Sequence, residues 1–182
     1  MGIVVDHIRE DHEYIMKSLS ILTNIFMKSK ESVVINKLDL SECIRFNAIF
    51  TGMCHNGKED TILFKNLAEK VNEIARSKID TFSSDHNLCS KYIKNLQNLF
   101  PDNPYELISP LFITGVVGYI NHMESHIEKE NNNLLPIIDH YLTDAEQEKV
   151  CGQFNEYEEY VMEACASKYI KSNIDYLSRK YS

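Results

Sequence analysis

Long apolar runs are absent from this sequence of 182 residues. No stretch approaches the roughly twenty apolar residues that a membrane-spanning helix needs. The first residues contain neither a basic region nor an apolar run of the length found in signal peptides. These absences predict a soluble, cytoplasmic protein that has no membrane partner.

Positive charge is scarce and scattered. The 19 basic residues are outnumbered by 27 acidic residues, which gives a formal net charge of -8, and no cluster of lysine and arginine interrupts this balance. A surface of this sign repels the phosphates of nucleic acids and of anionic lipids. We therefore expect no nucleic acid among the partners of the protein.

Signals for cysteine pairing and for organic cofactors are also missing. The five cysteines are odd in number and none belongs to a Cys-x-x-Cys pair, which argues against a disulfide framework and against a thiolate zinc site. No flavin or nicotinamide fingerprint is present. The sequence therefore predicts neither an organic cofactor nor a set of catalytic side chains.

Alternating strand patterns are lacking as well, whereas apolar residues recur at steps of three and four, as on one face of a helix. The helical segments run from about Asp6 to Lys28, from about Asp39 or Ser41 to Ile74, through the stripe Ile79 to Phe100, from near Asn103 or Ser109 to about Tyr141, and onward from Thr143. We predict an all-α fold in a single domain. It consists of an antiparallel up-down four-helix bundle over about residues 4–141 and a C-terminal helical arm over about residues 143–181.

Several local signals refine these boundaries. Ser41 is predicted to cap the second segment, and Ser83 or Ser84 to cap the third, because serine side chains accept hydrogen bonds from the free amides of a first turn. Pro136 should kink the fourth segment or end its regular part after Glu130, since proline lacks an amide hydrogen.

Histidine and glutamate residues interrupt the apolar faces at the spacing of metal ligands. They are His12 on the first segment, His55 and Glu59 on the second, His86 on the third, and His122, His126 and Glu130 on the fourth. Residues four apart stack on one face of a helix, about 6 Å apart along its axis. An imidazole and a carboxylate so placed can reach one metal ion or two adjacent ions.

Short connections between antiparallel helices would bring these positions to one level of the bundle. Without His122, the remaining six nitrogen and oxygen donors would exhaust an octahedral site with one ion, whereas two ions that share bridging carboxylates would keep a position open. The sequence therefore favours a dinuclear metal site. The alternative is a metal-free helical interaction module in which these residues are polar members of the core.

Four short motifs resemble those of the hemerythrin-like, HHE cation-binding proteins. They are Asp11-His12, His55-Asn56-Gly57-Lys58-Glu59-Asp60, Asp85-His86 and His126-Ile127-Glu128-Lys129-Glu130-Asn131. The resemblance covers about residues 3–141, and the tail is similar to the extra C-terminal helix of longer members. It implies a non-haem di-iron centre, with two Fe ions joined by an oxo, hydroxo or water bridge.

The sequence departs from the family at specific positions. Oxygen-carrying hemerythrins use two histidines on the third helix, but the residue four positions after His86 is Ser90. Four histidines and two glutamates resemble instead the relatives that are linked to nitric oxide stress and iron–sulfur cluster repair. Asn56 stands where many relatives have a second histidine. His122 could supply a fifth nitrogen, orient another ligand or line the open position, and we predict that it is coordinated.

The resemblance implies a protein that binds or senses oxygen, nitric oxide or redox state. The alternative is a di-iron oxidoreductase, or a donor of iron for the repair of iron–sulfur clusters. The partner expected in either case is a small diatomic molecule, oxygen or nitric oxide, and the chain could form a homodimer.

Overall fold

The computed structural model describes residues 2–29, 35–103, 109–165 and 169–182. These residues form helices joined by turns, with no strand among them, which confirms the predicted all-α class. None of the helices in these ranges has an apolar stretch long enough for a membrane span.

The first helix, α1, spans Ile3–Ser29 and begins slightly before the predicted Asp6. Its apolar stripe is buried, as the period of the sequence predicts: Val5, Ile8 and Leu19 are at most 1% exposed. Burial of such side chains contributes about 1.5 to 3 kcal/mol each. The stripe therefore fixes which face of α1 meets the core.

The second helical segment is continuous but changes its hydrogen-bond spacing along its length. It consists of α2 (Lys37–Phe46), π1 (Asn47–His55), α3 (Asn56–Lys58), π2 (Glu59–Leu63) and α4 (Phe64–Ala68). The residue that caps it is Asn36, whose side-chain oxygen accepts hydrogen bonds from the amides of Leu38 and Asp39 at 3.0 and 3.2 Å. The prediction of a cap at Ser41 is wrong, because Asn36 already satisfies the first turn.

The boundary between the second and third segments lies earlier than predicted. The second ends at Ala68, before the predicted Ile74, and α5 spans Glu73–Leu99. Asn72 starts α5 by accepting a hydrogen bond from the amide of Ala75 at 2.9 Å. An asparagine that caps a first turn separates two helices that the apolar pattern alone would join.

The predicted caps Ser83 and Ser84 are wrong, because both residues lie in the interior of α5. The Ser84 hydroxyl donates a hydrogen bond to the carbonyl oxygen of Asp80, one turn earlier, at 2.9 Å. Serine commonly makes this bond inside a helix. The apolar stripe begins only after the first turn of α5, so it does not mark where the helix starts.

The fourth segment consists of α6 (Pro110–Lys129), π3 (Glu130–Leu134) and α7 (Leu135–Tyr141). Of the two predicted starts, Ser109 is the cap, and its hydroxyl accepts a hydrogen bond from the amide of Phe112 at 3.4 Å. Asn103 lies in a bend, and residues 104–108 are outside the described part of the chain. The irregularity predicted near Pro136 is the π-helical turn π3, which ends two residues before this proline. Proline cannot donate a regular helical hydrogen bond.

The C-terminal part of the chain contains α8 (Asp144–Ala164) and α9 (Ile170–Lys180). The Thr143-x-x-Glu146 spacing predicts a capping box at the start of α8, and Glu146 accepts hydrogen bonds from the Thr143 amide and hydroxyl at 3.0 and 2.9 Å. Both helices pack against α1. They cover the side of the molecule where the first two segments meet.

The core consists of two apolar clusters on either side of a polar layer. The first includes Leu19, Phe46, Cys89 and Phe112, and the second includes Val5, Leu63, Phe82 and Leu134. The first and third segments run from the second cluster to the first, and the second and fourth segments run in the opposite direction. The four segments thus alternate in direction, as predicted, and their polar residues meet in the layer between the clusters.

Candidate metal centre

Six of the seven predicted ligands meet in this polar layer. They are His12, His55, Glu59, His86, His126 and Glu130, each at most 4% exposed. Their donor atoms form two groups, and within each group the atoms lie within 4.8 Å of one another. One group contains His12, His55, Glu59 and Glu130, and the other contains His86, His126 and Glu130. A glutamate therefore belongs to both groups.

The carboxylate of Glu130 lies between two pairs of histidines. Its Oε2 lies 3.1 Å from His12 Nε2 and 3.8 Å from His55 Nε2. Its Oε1 lies 3.1 Å from His126 Nε2 and 3.5 Å from His86 Nε2. Each oxygen thus faces a different pair, which is the arrangement that a bridging carboxylate requires.

The second glutamate also lies between the two sides of the centre. Glu59 Oε2 is 3.2 Å from His86 Nε2 and 3.8 Å from His55 Nε2. Glu59 is the first residue of π2 and Glu130 is the first residue of π3. Such turns often occur at functional sites. Both carboxylates thus project from the first residue of a π-helical turn and contact histidines of other segments.

Many inward-facing atoms of this layer have no hydrogen-bond partner among the described residues. They are Nε2 of His55, His86 and His126, both oxygens of Glu59, and Oε1 of Glu130. A buried polar atom without a partner costs about 1 to 3 kcal/mol. Imidazole nitrogens and carboxylate oxygens together suit zinc, iron and other transition-metal ions. The donor set therefore fits the predicted metal, whose binding would satisfy all of these atoms.

The outward-facing Nδ1 atom of each histidine in the centre faces a side-chain oxygen on a neighbouring segment, and the contact is a hydrogen bond at His12 and at His55. The pairs are His55 with Asp11 Oδ2 at 3.4 Å, His86 with Asp60 Oδ1 at 3.1 Å, His126 with Asp85 Oδ2 at 3.7 Å, and His12 with Asn131 Oδ1 at 3.0 Å. Each segment supplies the acceptor for the histidine of the next segment, and the fourth supplies it for the first. We call these four side chains the acceptor ring.

The acceptor ring orients the histidines. A proton held at Nδ1 by an acceptor leaves the Nε2 lone pair directed at the centre, and such outer partners also make the ligand more basic. Sequence reasoning did not identify these four residues as part of the site. The available signal was that each directly precedes or follows a ligand, as in Asp11-His12, Glu59-Asp60, Asp85-His86 and Glu130-Asn131.

Strong electrostatic coupling accompanies this packing in the metal-free protein. Burial alone would lower the pKa of His55, but the charge of Glu59 and the hydrogen bond to Asp11 raise it to about 10. Burial would raise the pKa of Glu130, but the charge of His126 holds it well below its usual range. The carboxylate of Glu130 is thus held in its charged form, and protons on His55 and His86, whose pKa is also raised, offset part of that charge. A bound cation would displace those protons.

His122 belongs to neither donor group, and Asn56 is a buried residue of α3. The half-buried His122 ring donates a hydrogen bond from Nε2 to the backbone carbonyl oxygen of Asp85 at 3.0 Å, and its ring centre is 6.2 Å from that of His126. Coordination by His122 stays a prediction, and the contact with Asp85 resembles the alternative in which it orients another residue. Asn56 is buried, with neither side-chain amide atom hydrogen-bonded within the described part of the chain.

Aromatic rings wall the centre, and one edge of it approaches the surface. Phe64 stacks on His86 with ring centres 5.8 Å apart, and Phe82 meets the edge of His126 at 6.3 Å. On the opposite side, a surface cavity of about 460 Å³ is lined by Arg9, His12, Glu13, Met16, Ile127, Asn131 and Asn132. A small molecule could therefore approach the centre beside His12 and Asn131.

Comparison with known proteins gives one match. The model of the hemerythrin HHE cation binding domain matches residues 3–138. The matched range contains all six clustered donors and the acceptor ring, and it ends before α8. No curated protein and no solved structure matches the chain significantly.

Proposed function

Because the chain belongs to the hemerythrin family of HHE cation-binding domains, we propose that its six clustered donors hold two iron ions in a non-haem dinuclear centre. The observation that carries this proposal is the position of Glu130. One carboxylate oxygen faces His12 and His55, and the other faces His86 and His126. This position supports two ions, one on each side of the carboxylate.

Each histidine pair would hold one ion, and Glu59 and Glu130 would lie between the ions. The two carboxylates offset part of the positive charge that two cations bring into a buried layer. When bound, iron supplies reversible binding of small molecules and one-electron changes of charge. The aromatic walls exclude water from the sides of the centre formed by α4 and α5, and the acceptor ring keeps every Nε2 directed inward.

We further propose that the centre binds or senses oxygen or nitric oxide. The cavity beside His12 and Asn131 supports access for a small molecule from one direction. His12 itself is only 4% exposed, so a larger substrate would not reach the ions without displacing side chains. A diatomic molecule has the size that this arrangement admits.

A second candidate is the donation of iron to damaged iron–sulfur clusters. It is favoured by His12, which lies at the cavity and whose acceptor, Asn131, is the uncharged member of the acceptor ring. An ion held at this edge would be released most readily. The two candidates differ in iron retention: a sensor keeps both ions in the presence of a mild chelator, whereas a donor loses one of them quickly.

The test of the dinuclear centre is iron stoichiometry. We expect protein loaded with ferrous iron without oxygen to bind two ions per chain and to change its absorption on exposure to air or nitric oxide. The Glu130→Gln variant should bind fewer than two iron ions per chain, because it loses the carboxylate charge that both donor groups share. Glu128→Gln, an exposed neighbour on α6, is the matched control and should bind two. One ion or none in the unmodified chain would exclude the dinuclear centre.

A further inference from the structure

A buried lysine lies directly behind one ligand of the centre. Lys58 is 0% exposed, and its ammonium contacts Asp11 Oδ2 and Glu158 Oε1. The ring of Phe154 lies 5.1 Å from the same ammonium. A buried ammonium requires close counter-charges, because its desolvation is costly. Lys58 therefore fixes the positions of two carboxylates that come from different helices, α1 and α8.

This lysine occupies a place that could otherwise hold a metal ion. Donor atoms of His7, Asp11 and Glu158 lie within 4.8 Å of one another, and His7 Nε2 is 3.0 Å from Glu158 Oε1. The ammonium of Lys58 contacts both carboxylates of this group. The ammonium group of Lys58 thus takes the place of a metal ion between these carboxylates, and we expect no third metal ion there.

The lysine cluster is connected to the metal centre through one oxygen atom. Asp11 Oδ2, which contacts Lys58, also lies 3.4 Å from His55 Nδ1. The other oxygen of Asp11 is 3.8 Å from the ammonium of Lys171 on α9. Each oxygen of Asp11 therefore lies near a lysine, and Oδ2 contacts His55 as well. Removal of the charge of Glu158 would strengthen the ion pair between Lys58 and Asp11. Asp11 would then be a weaker hydrogen-bond acceptor for His55.

We propose that Glu158, acting through Lys58, is a positioning residue for His55. It offsets the ammonium charge so that Asp11 remains available to orient and polarise the imidazole. This inference rests on the proposed dinuclear centre for its effect on bound iron. It also makes α8, which lies outside the matched range of residues 3–138, a structural part of the metal centre.

The first measurement requires no metal. In the metal-free full chain labelled with nitrogen-15 histidine, Glu158→Gln should shift the imidazole signals of His55, assigned with His55→Gln. Glu159→Gln removes the same charge from the exposed neighbouring position on α8 and should leave these signals in place. Unchanged His55 signals in Glu158→Gln would overturn the proposal, whatever the iron content of the protein.

The second measurement uses the iron-loaded full chain. Glu158→Gln removes a negative charge near the centre, so the midpoint potential of bound iron should rise, and affinity for ferrous iron should fall by up to about tenfold. Lys58→Met removes a positive charge, so the midpoint potential of iron bound to this variant should fall. Loosened packing alone would not give shifts of opposite sign. Equal potentials, or shifts in the same direction, would overturn the proposal.

A double variant is a control for misfolding of Lys58→Met, in which the carboxylates of Asp11 and Glu158 would lose the ammonium that contacts both of them. The combination of Lys58→Met with Glu158→Gln leaves one charge on Asp11, and its potential should lie between those of the single variants. Three metal ions bound per unmodified chain would show that Lys58 does not occupy the cluster, and would also overturn the proposal. Fewer than two ions would contradict only the proposed function, because the histidine signals test the positioning separately.

Discussion

Asn131 Oδ1 lies 3.0 Å from His12 Nδ1 and is the uncharged member of the acceptor ring. The other three histidines of the centre face aspartates. A carboxylate makes an imidazole a stronger ligand than an amide does, because its charge stabilises a proton at Nδ1 and raises electron density at Nε2. His12 is therefore the weakest donor of the four by this criterion, and it lies beside the surface cavity.

Replacement of Asn131 by aspartate should strengthen metal binding. We expect Asn131→Asp to bind ferrous iron more tightly by up to about tenfold and to release it more slowly to a chelator, because His12 gains a charged acceptor. Asn132→Asp adds the same charge one residue away, where it does not face His12, and serves as the control. Equal gains in both variants would mean that only the net charge matters.

The role of His122 can be decided by comparison with His126. The sequence predicts that His122 is a ligand, whereas its contact with the carbonyl oxygen of Asp85 favours the alternative in which it holds Asp85 in place. In that alternative, His122→Ala still binds two ferrous ions, with weaker affinity because Asp85 is less well held. His126→Ala should lose iron under the same loading, since its Nε2 faces Glu130. Equal and large losses of iron in both variants would instead establish His122 as a ligand.

The stability of the metal-free protein should fall in alkaline solution. The folded protein raises the pKa of His55 to about 10, whereas an unfolded chain has a value of about 6.5. A pKa raised by folding stabilises the fold fully below about pH 6.5, and this contribution is lost as the pH rises to about 10. The urea midpoint of metal-free protein should therefore decrease between pH 7 and pH 10. His55→Gln should show a smaller decrease, and an equal decrease would contradict the assignment.

Removal of the metal should lower thermal stability, and loss of one ligand should remove most of the difference. A ligand that binds only the folded state adds about 4 kcal/mol at a thousand times its Kd. We expect Glu59→Ala and His86→Ala to unfold at nearly the same temperature with and without ferrous iron. Glu69→Ala, at an exposed position after α4, should keep the full increase on loading. A metal-dependent increase in Glu59→Ala equal to that of the unmodified chain would argue against ligation by Glu59.

The sequence predicted the parts of the fold and the site that depend on the spacing of apolar residues along a helix and on the types of residue at the site. The three- and four-residue spacing of Val5, Ile8 and Leu19 follows from burial of one helical face, so α1 was predictable within a few residues. The convergence of the six donors was predictable for the same reason, because each lies on a buried face. The caps at Asn36 and Asn72 were not, since asparagine competes with serines that are equally able to accept a hydrogen bond. The cap at Thr143 was predictable because Glu146 completes a capping box.

The acceptor ring could not be derived from spacing within a helix. Asp85 faces His126 on another segment rather than its own neighbour His86, and this pairing depends on how the helices are rotated against each other. The same holds for Lys58, which a helical pattern would place on a solvated face. Its burial depends on Glu158, a residue one hundred positions later in the chain. Such long-range pairs are decided by packing between segments.

The π-helical turns also determine how this chain can be aligned with its relatives. A π turn closes its hydrogen bond over one residue more than an α turn does, so each one acts as a single-residue insertion within a helix. A relative with a regular α-helix in place of π2 would need a one-residue gap there for its ligands to superpose on those of this chain. Without that gap, the position of Leu63 and all that follow in the segment would be assigned to the wrong face.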